Sequence, residues 1–193
     1  MERHARAGRT LCAAIARLPT ARYTREGLLV MEICRRKNQI EISELDPFLA
    51  ELLRQIPASA NREGAPAAEE RIFSAPTNGS ETEFRSEWRM YVEPELRRLF
   101  QTAAQTVAGD LEQLNGNEKN LANRTLRIPT KHADAWLSAL NQARLVIAVK
   151  NSFTETELND HLHSPIGSRR DLSLFQVNFY GFLQEFILRE LEC

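Results

Sequence analysis

The segment from Lys131 to Lys150 constrains the fold more than any other, because its apolar side chains leave it almost no wet face. Trp136, Leu137, Leu140, Leu145, Val146, Ile147 and Val149 lie nearly all round a helix. A helix that is apolar on every side has to be enclosed by other elements. Pro129-Thr130 supplies its start signal. The rest of the chain must therefore provide stripes that face this one.

Four such stripes are legible. Asp46 can cap, and Pro47 suits the first position of a helix to about Ile56, whose Phe48, Leu49, Leu52, Leu53 and Ile56 share one face before Pro57 ends it. Glu81 to Val92 predicts a helix with Phe84, Trp88 and Tyr91 inward, and Pro94 forces a break or kink. From Glu95, Leu96, Leu99, Phe100, Ala103, Val107, Leu111 and Leu114 recur at three and four residues, as one helix face does, to about Asn115-Gly116. Asp171 to Leu191 closes the core with Phe175, Phe179, Tyr180, Phe182, Leu183, Phe186 and Ile187. Thr154 to Leu158 suggests one further short helix.

Ahead of the helices, Glu32 to Ile42 reads as two short strands around Arg36-Lys37-Asn38-Gln39, with Ile33 answering Ile40 or Ile42. Thr125 to Ile128 reads as short and extended. The fold class expected is mainly α, a helical bundle with a short N-terminal β-hairpin. Residues 31–193 are expected to form one helical domain, since 193 residues with 42% hydrophobic content suffice for one core. Residues 58–80, rich in Ala, Pro, Gly, Asn, Ser and Glu, offer only Ile72 and Phe73 for burial and read as a mobile connector.

The net charge of -1 hides an asymmetry. Residues 1–30 hold Arg3, Arg6, Arg9, Arg17, Arg22 and Arg25 against Glu2 and Glu26. This basic extension is expected to precede the native start at Met31. The acidic remainder argues against broad contact with nucleic-acid phosphate, which needs clustered Lys and Arg. No apolar run reaches the roughly 18 residues of a membrane span. Cys12, Cys34 and Cys193 lack metal-ligand spacing, and their odd number fits a reducing cytoplasm better than a disulfide framework.

Among polar candidates, Asn141 and Arg144 sit three apart on the helix that otherwise wants burial. A buried guanidinium needs partners. Glu83, Glu87 or Glu185 on neighbouring helices are expected to accept from it, with Gln184 completing a network to Asn141. Arg85, Asn141, Arg144 and Gln184 are thus the candidate polar network, serving either to fix helix register or to read an anionic ligand. His132, Asp134, His161 and His163 have only weak metal-like spacing, and no metal or cofactor is expected. No Ser lies in a strand-turn-helix elbow and no Gly-rich phosphate loop exists, so no catalytic residue is nominated.

Ala135-Trp136-Leu137-Ser138-Ala139-Leu140-Asn141-Gln142-Ala143-Arg144-Leu145 resembles the W-L-x-x-L-N-x-x-R-L signature of a bacterial family, domain of unknown function number twenty-seventeen. Glu83-Phe84-Arg85 and Phe179-Tyr180-Gly181-Phe182-Leu183-Gln184-Glu185 agree with it in order. Where many relatives carry L-G-x-R-L, this chain has Ala148-Val149-Lys150-Asn151-Ser152. The resemblance implies no established reaction, but many relatives are encoded beside the small adaptor of the Clp protease. The expectation is therefore a cytoplasmic protein-interaction or accessory module linked to Clp proteolysis. A regulator touching DNA through residues 1–30 and a small-molecule sensor at Asn141 and Arg144 are the alternatives. A homodimer through Phe175, Phe179 and Phe182 is a further expectation.

Overall fold

A computed structural model describes residues 31–63, 65–76, 82–114, 124–159 and 166–192. The fold is mainly α-helical with a small antiparallel sheet at its front. Strand β1 (Glu32–Arg36) turns at Lys37 and Asn38 into β2 (Gln39–Leu45), and Lys37 takes the left-handed conformation there, at φ 56°. The register pairs Ile33 with Ile42, and the extended segment expected at Thr125–Ile128 becomes β3 (Arg124–Pro129), pairing Ile40 with Ile128 and Ile42 with Leu126. Period-two alternation puts all five of these apolar side chains on one buried face. The opposite face is polar, where Glu41 pairs with Arg36 and Arg127, both at 3.2 Å.

Helix α1 (Pro47–Arg54) starts as its sequence demands, with Asp46 Oδ1 accepting from the backbone N–H groups of Phe48 and Leu49 at 2.7 and 3.0 Å. Pro57 does not end the helical path. It occupies the first turn of a short helix, α2 (Ile56–Ser59), where a missing N–H costs nothing. The stretch expected to be a connector holds a second surprise, α3 (Pro66–Phe73). Its anchor is made of small residues, Ala65 and Ala68, packed on Val146, while Phe73 is buried beyond them.

Residues 82–111 form one continuous helical run: α4 (Thr82–Glu87), a π turn (Trp88–Val92) and α5 (Glu93–Leu111). The irregularity expected at Pro94 falls just before it, with Glu93 N–H donating to Trp88 O. Pro94 has no N–H for the carbonyl four residues back, and its ring would strike that carbonyl in a regular helix. The wider turn moves the clash aside. This extra residue also rotates Tyr91 out of the expected inward stripe, leaving it 70% exposed, and Leu99 is 48% exposed.

The central helix, α6 (Ala133–Lys150), is enclosed as its composition requires. Trp136, Ala139, Leu140, Ala143 and Val146 are buried, against α2, α3, α5 and a final long helix, α8 (Arg169–Glu192). A short α7 (Glu155–Asn159) carries a reciprocal cap: Glu157 accepts from Thr154 N–H, and Glu157 N–H donates to Thr154 Oγ1. Those bonds, with Arg170 at 2.6 Å, hold the Glu157 carboxyl down at about 2. On α8, Phe175 and Phe179 are buried and Phe182 packs against the core. Phe175 and Phe179 are thus covered within the chain, and Phe182 is half-buried. No described helix is long and apolar enough to cross a membrane.

Candidate functional site

Where α6 meets α8, Arg144 Nη1 donates to Gln184 Oε1 at 2.6 Å, and Gln184 Nε2 donates to the carbonyl of Leu137 at 3.1 Å. Gly181 makes this contact. A Cβ built there would stand 3.1 Å from Arg144 Cζ, so the guanidinium lies against bare backbone. Among the described residues no carboxylate is ion-paired with Arg144, and its Nε is buried without a hydrogen-bond partner. Burial pulls the Arg144 pKa down, and the field of Glu185 pushes weakly the other way. The structure therefore brings together two of the expected residues, Arg144 and Gln184.

Asn141 and Arg85 lie elsewhere. Asn141 is exposed on α6, and Arg85, Glu83 and Glu87 are exposed on α4. The buried polar residue of the central helix is its neighbour Gln142, 3% exposed, which accepts from Arg62 Nη1 at 2.9 Å and donates to Ser138 O and Oγ at 3.2 Å. One residue on a helix is a rotation of about 100°. Asn141 and Gln142 thus exchange roles relative to expectation. Only the alignment of Gln142 with Ala139 and Val146 on the buried face signals it.

A second cluster joins α5 to the start of α6. Asp110, 8% exposed, accepts from Trp136 Nε1 at 2.9 Å, and His132 Nδ1 stands 3.0 Å from each of its carboxylate oxygens. In the neutral ring this favours the tautomer protonated at Nδ1 and leaves Nε2 as an acceptor. Nothing in the sequence pattern linked Asp110 to His132, 22 positions away. No group of three or more His, Cys, Asp or Glu among the described residues is placed to hold a metal ion. His161 and His163 lie outside the described residues, as do Cys12, Cys193 and the basic segment 1–30 on which the DNA reading depends. Cys34 is a half-buried free thiol on β1.

Among the described residues, the two most exposed large apolar side chains lie on the front half of the long helical run 82–111, while Leu188 and Leu191 are open at the end of α8. Met90 is 65% exposed, beside Tyr91 and, two turns on, Leu99. The inward side of the same stretch is occupied: Trp88 Nε1 donates to Phe73 O at 3.0 Å, and the Phe100 ring sits 5.8 Å from that of Phe73. Arg97 stacks over Phe73 at 4.2 Å while bonding Glu69 and Glu93 at 2.5 and 2.6 Å. The front half is thus pinned by α3 on one side and bare on the other.

The family described as Domain of unknown function (DUF2017) matches residues 19–191, and the chain belongs to it. The match begins upstream of Met31. No curated protein and no solved structure matches the chain.

Proposed function

We propose, with membership of that family as the premise, that this chain is an accessory module that binds a partner protein through the front half of its long helix. The observation that carries the reading is the exposure of Met90, Tyr91 and Leu99 on an element held rigidly from behind by Trp88, Phe73 and Arg97. Aromatic and methionine side chains kept in water at a fixed site are the residue types that anchor protein interfaces. The polar clusters fit a structural role better. Arg144 with Gln184, and Asp110 with Trp136, tie helices together.

The neighbourhood that the resemblance brings with it makes the Clp protease adaptor the first partner to test. Full-length protein immobilised as bait should retain its partner, whereas the Tyr91→Glu/Leu99→Glu variant should fold with an unchanged circular dichroism spectrum and release it. Equal retention by both proteins overturns the proposal. A second reading, an anion-reading pocket, is favoured by Arg144 having one side-chain acceptor and no paired carboxylate among the described residues. Thermal stabilisation of wild type by acetate or phosphate, absent in Arg144→Met, supports it, and equal response of the two proteins removes it.

A further inference from the structure

We infer that the flank formed by Glu83, Glu87, Tyr91, Glu95 and Leu99 takes a cationic amphipathic helix of the partner protein, an inference that rests on the docking reading above. The five residues are spaced by four. In an uninterrupted α-helix each four-residue step drifts by about 40° around the axis, so such a series would wander off one side within four steps. Here the π turn at Trp88–Val92 intervenes. A turn that closes on the fifth residue advances each residue by less, and so takes back much of the drift and keeps the series in line. The inward series confirms the phase: Trp88, Leu96 and Phe100 are half-buried, and Ala103 and Val107 are buried.

The line is apolar at its centre and far end and acidic at its other three positions. Tyr91 and Leu99 are the exposed apolar positions, and Glu83, Glu87 and Glu95 are all exposed. Of the three carboxylates, Glu95 is paired with Arg98, in a contact with both side chains more than half exposed. Such a pair contributes little and exchanges partners readily. Glu83 and Glu87 have no ion pair among the described residues. The helix's other acid on this stretch, Glu93, is already held by Arg97.

This pattern selects among occupants. An uncharged apolar helix laid on Tyr91 and Leu99 would strip water from Glu83 and Glu87 without replacing it. An acidic helix would be repelled, and so would an anionic lipid surface. A helix with Leu or Ile at spacings of three and four, flanked by Lys or Arg, covers the apolar positions and neutralises the carboxylates. From Glu83 to Leu99 the helix runs about 24 Å, which matches a partner of about four to five turns.

The test uses the full chain and a labelled synthetic helix of about 18 residues, Leu at helical spacing and Lys alongside, followed by fluorescence anisotropy. Two control peptides replace every Lys by Glu or by Gln, and vesicles containing phosphatidylserine form a further arm. The cationic peptide should bind about tenfold or more tightly than either control, and added salt should weaken it. Both Glu83→Gln/Glu87→Gln and Tyr91→Ser/Leu99→Ser should lose most of that binding, and the vesicles should not bind. Equal binding of the Gln peptide, still abolished by Tyr91→Ser/Leu99→Ser, would overturn the cationic specificity while leaving the docking reading intact. Binding of all peptides that is indifferent to both double variants, or no binding at all together with equal partner retention in the bait experiment, would overturn both. Vesicle binding that depends on Tyr91 would replace a protein partner by a lipid surface and overturn the inference. All four substituted positions are exposed, and unchanged circular dichroism spectra confirm that the variants fold.

Discussion

Replacing Gly181 by alanine sets two opposing effects against each other at the contact between α6 and α8. Glycine inside a helix costs about 1 kcal/mol relative to alanine, so the substitution alone should stabilise by that amount. The new methyl carbon, however, would stand 3.1 Å from Arg144 Cζ, 3.2 Å from Nη2 and 3.3 Å from Nε. Ordinary carbon contacts lie at about 3.5–4.0 Å, so the guanidinium has to withdraw by several tenths of an ångström. That withdrawal strains the 2.6 Å bond to Gln184, which, as a hydrogen bond from a charged and half-buried donor, is worth about 2 kcal/mol. Gly181→Ala should therefore destabilise the wild-type chain by about 1 kcal/mol. In an Arg144→Met background, which removes the guanidinium, the same change should stabilise by about 1 kcal/mol. The double-mutant cycle then yields a coupling of about 2 kcal/mol. Urea unfolding of the four proteins at one pH, followed by far-ultraviolet circular dichroism, measures it. If Gly181→Ala shifts stability equally in both backgrounds, to within about 0.5 kcal/mol, the guanidinium does not rest on Gly181 and the reasoning fails.

Other consequences are independent of that contact. Asp46→Ala removes the acceptor for Phe48 and Leu49 N–H and should cost about 1 kcal/mol in the same unfolding assay, with Asp46→Asn costing less. Asp110→Ala leaves Trp136 Nε1 without its acceptor in the core and should cost about 2–3 kcal/mol, whereas an equal cost for Glu112→Ala would mean that Asp110 is nothing special. Burial pushes the Tyr180 hydroxyl, which donates to Leu52 O, up to about 12. A raised value in the folded state means that this group's contribution is fully present below about pH 10 and is lost as pH rises through about 12. Ultraviolet titration should show one tyrosine ionising that late, and Tyr180→Phe should remove the step; a late step that survives belongs to another residue.

Much of this architecture was legible from residue order because its causes are local. Trp136, Leu140, Val146 and their neighbours demanded enclosure whatever the partners were, and Asp46-Pro47 announced a helix start by capping chemistry alone. The alternation of Ile40 and Ile42 likewise fixed which face of the hairpin is buried. Helix α3 escaped notice because it is anchored by Ala65 and Ala68, whose small area gives almost no periodic signal, yet Val146 receives them closely. The orientation of Tyr91 was hidden by the π turn, since a single extra residue shifts every phase before it. In the candidate network, an acceptor for Arg144 is demanded by a guanidinium on an enclosed helix, but the amide of Gln184 takes the place expected of Glu83, Glu87 or Glu185. Asn141 and Gln142 are polar neighbours, and only the buried alanines around Gln142 distinguish them. Asp110 depends on a partner across the fold, a kind of pairing that no spacing rule contains.

The enclosed α6 contrasts with the front half of the helical run 82–111, which meets the core along one side and water along the other. Amide hydrogen exchange on the full chain, resolved to residues 82–99 and 133–150, measures that contrast directly. Amides of 133–150 should exchange only through global unfolding, while those of 82–99 should exchange markedly faster and slow down when the cationic peptide is added. Equal protection of the two segments in the isolated chain would contradict the account, because it would mean that the Tyr91 flank is already covered.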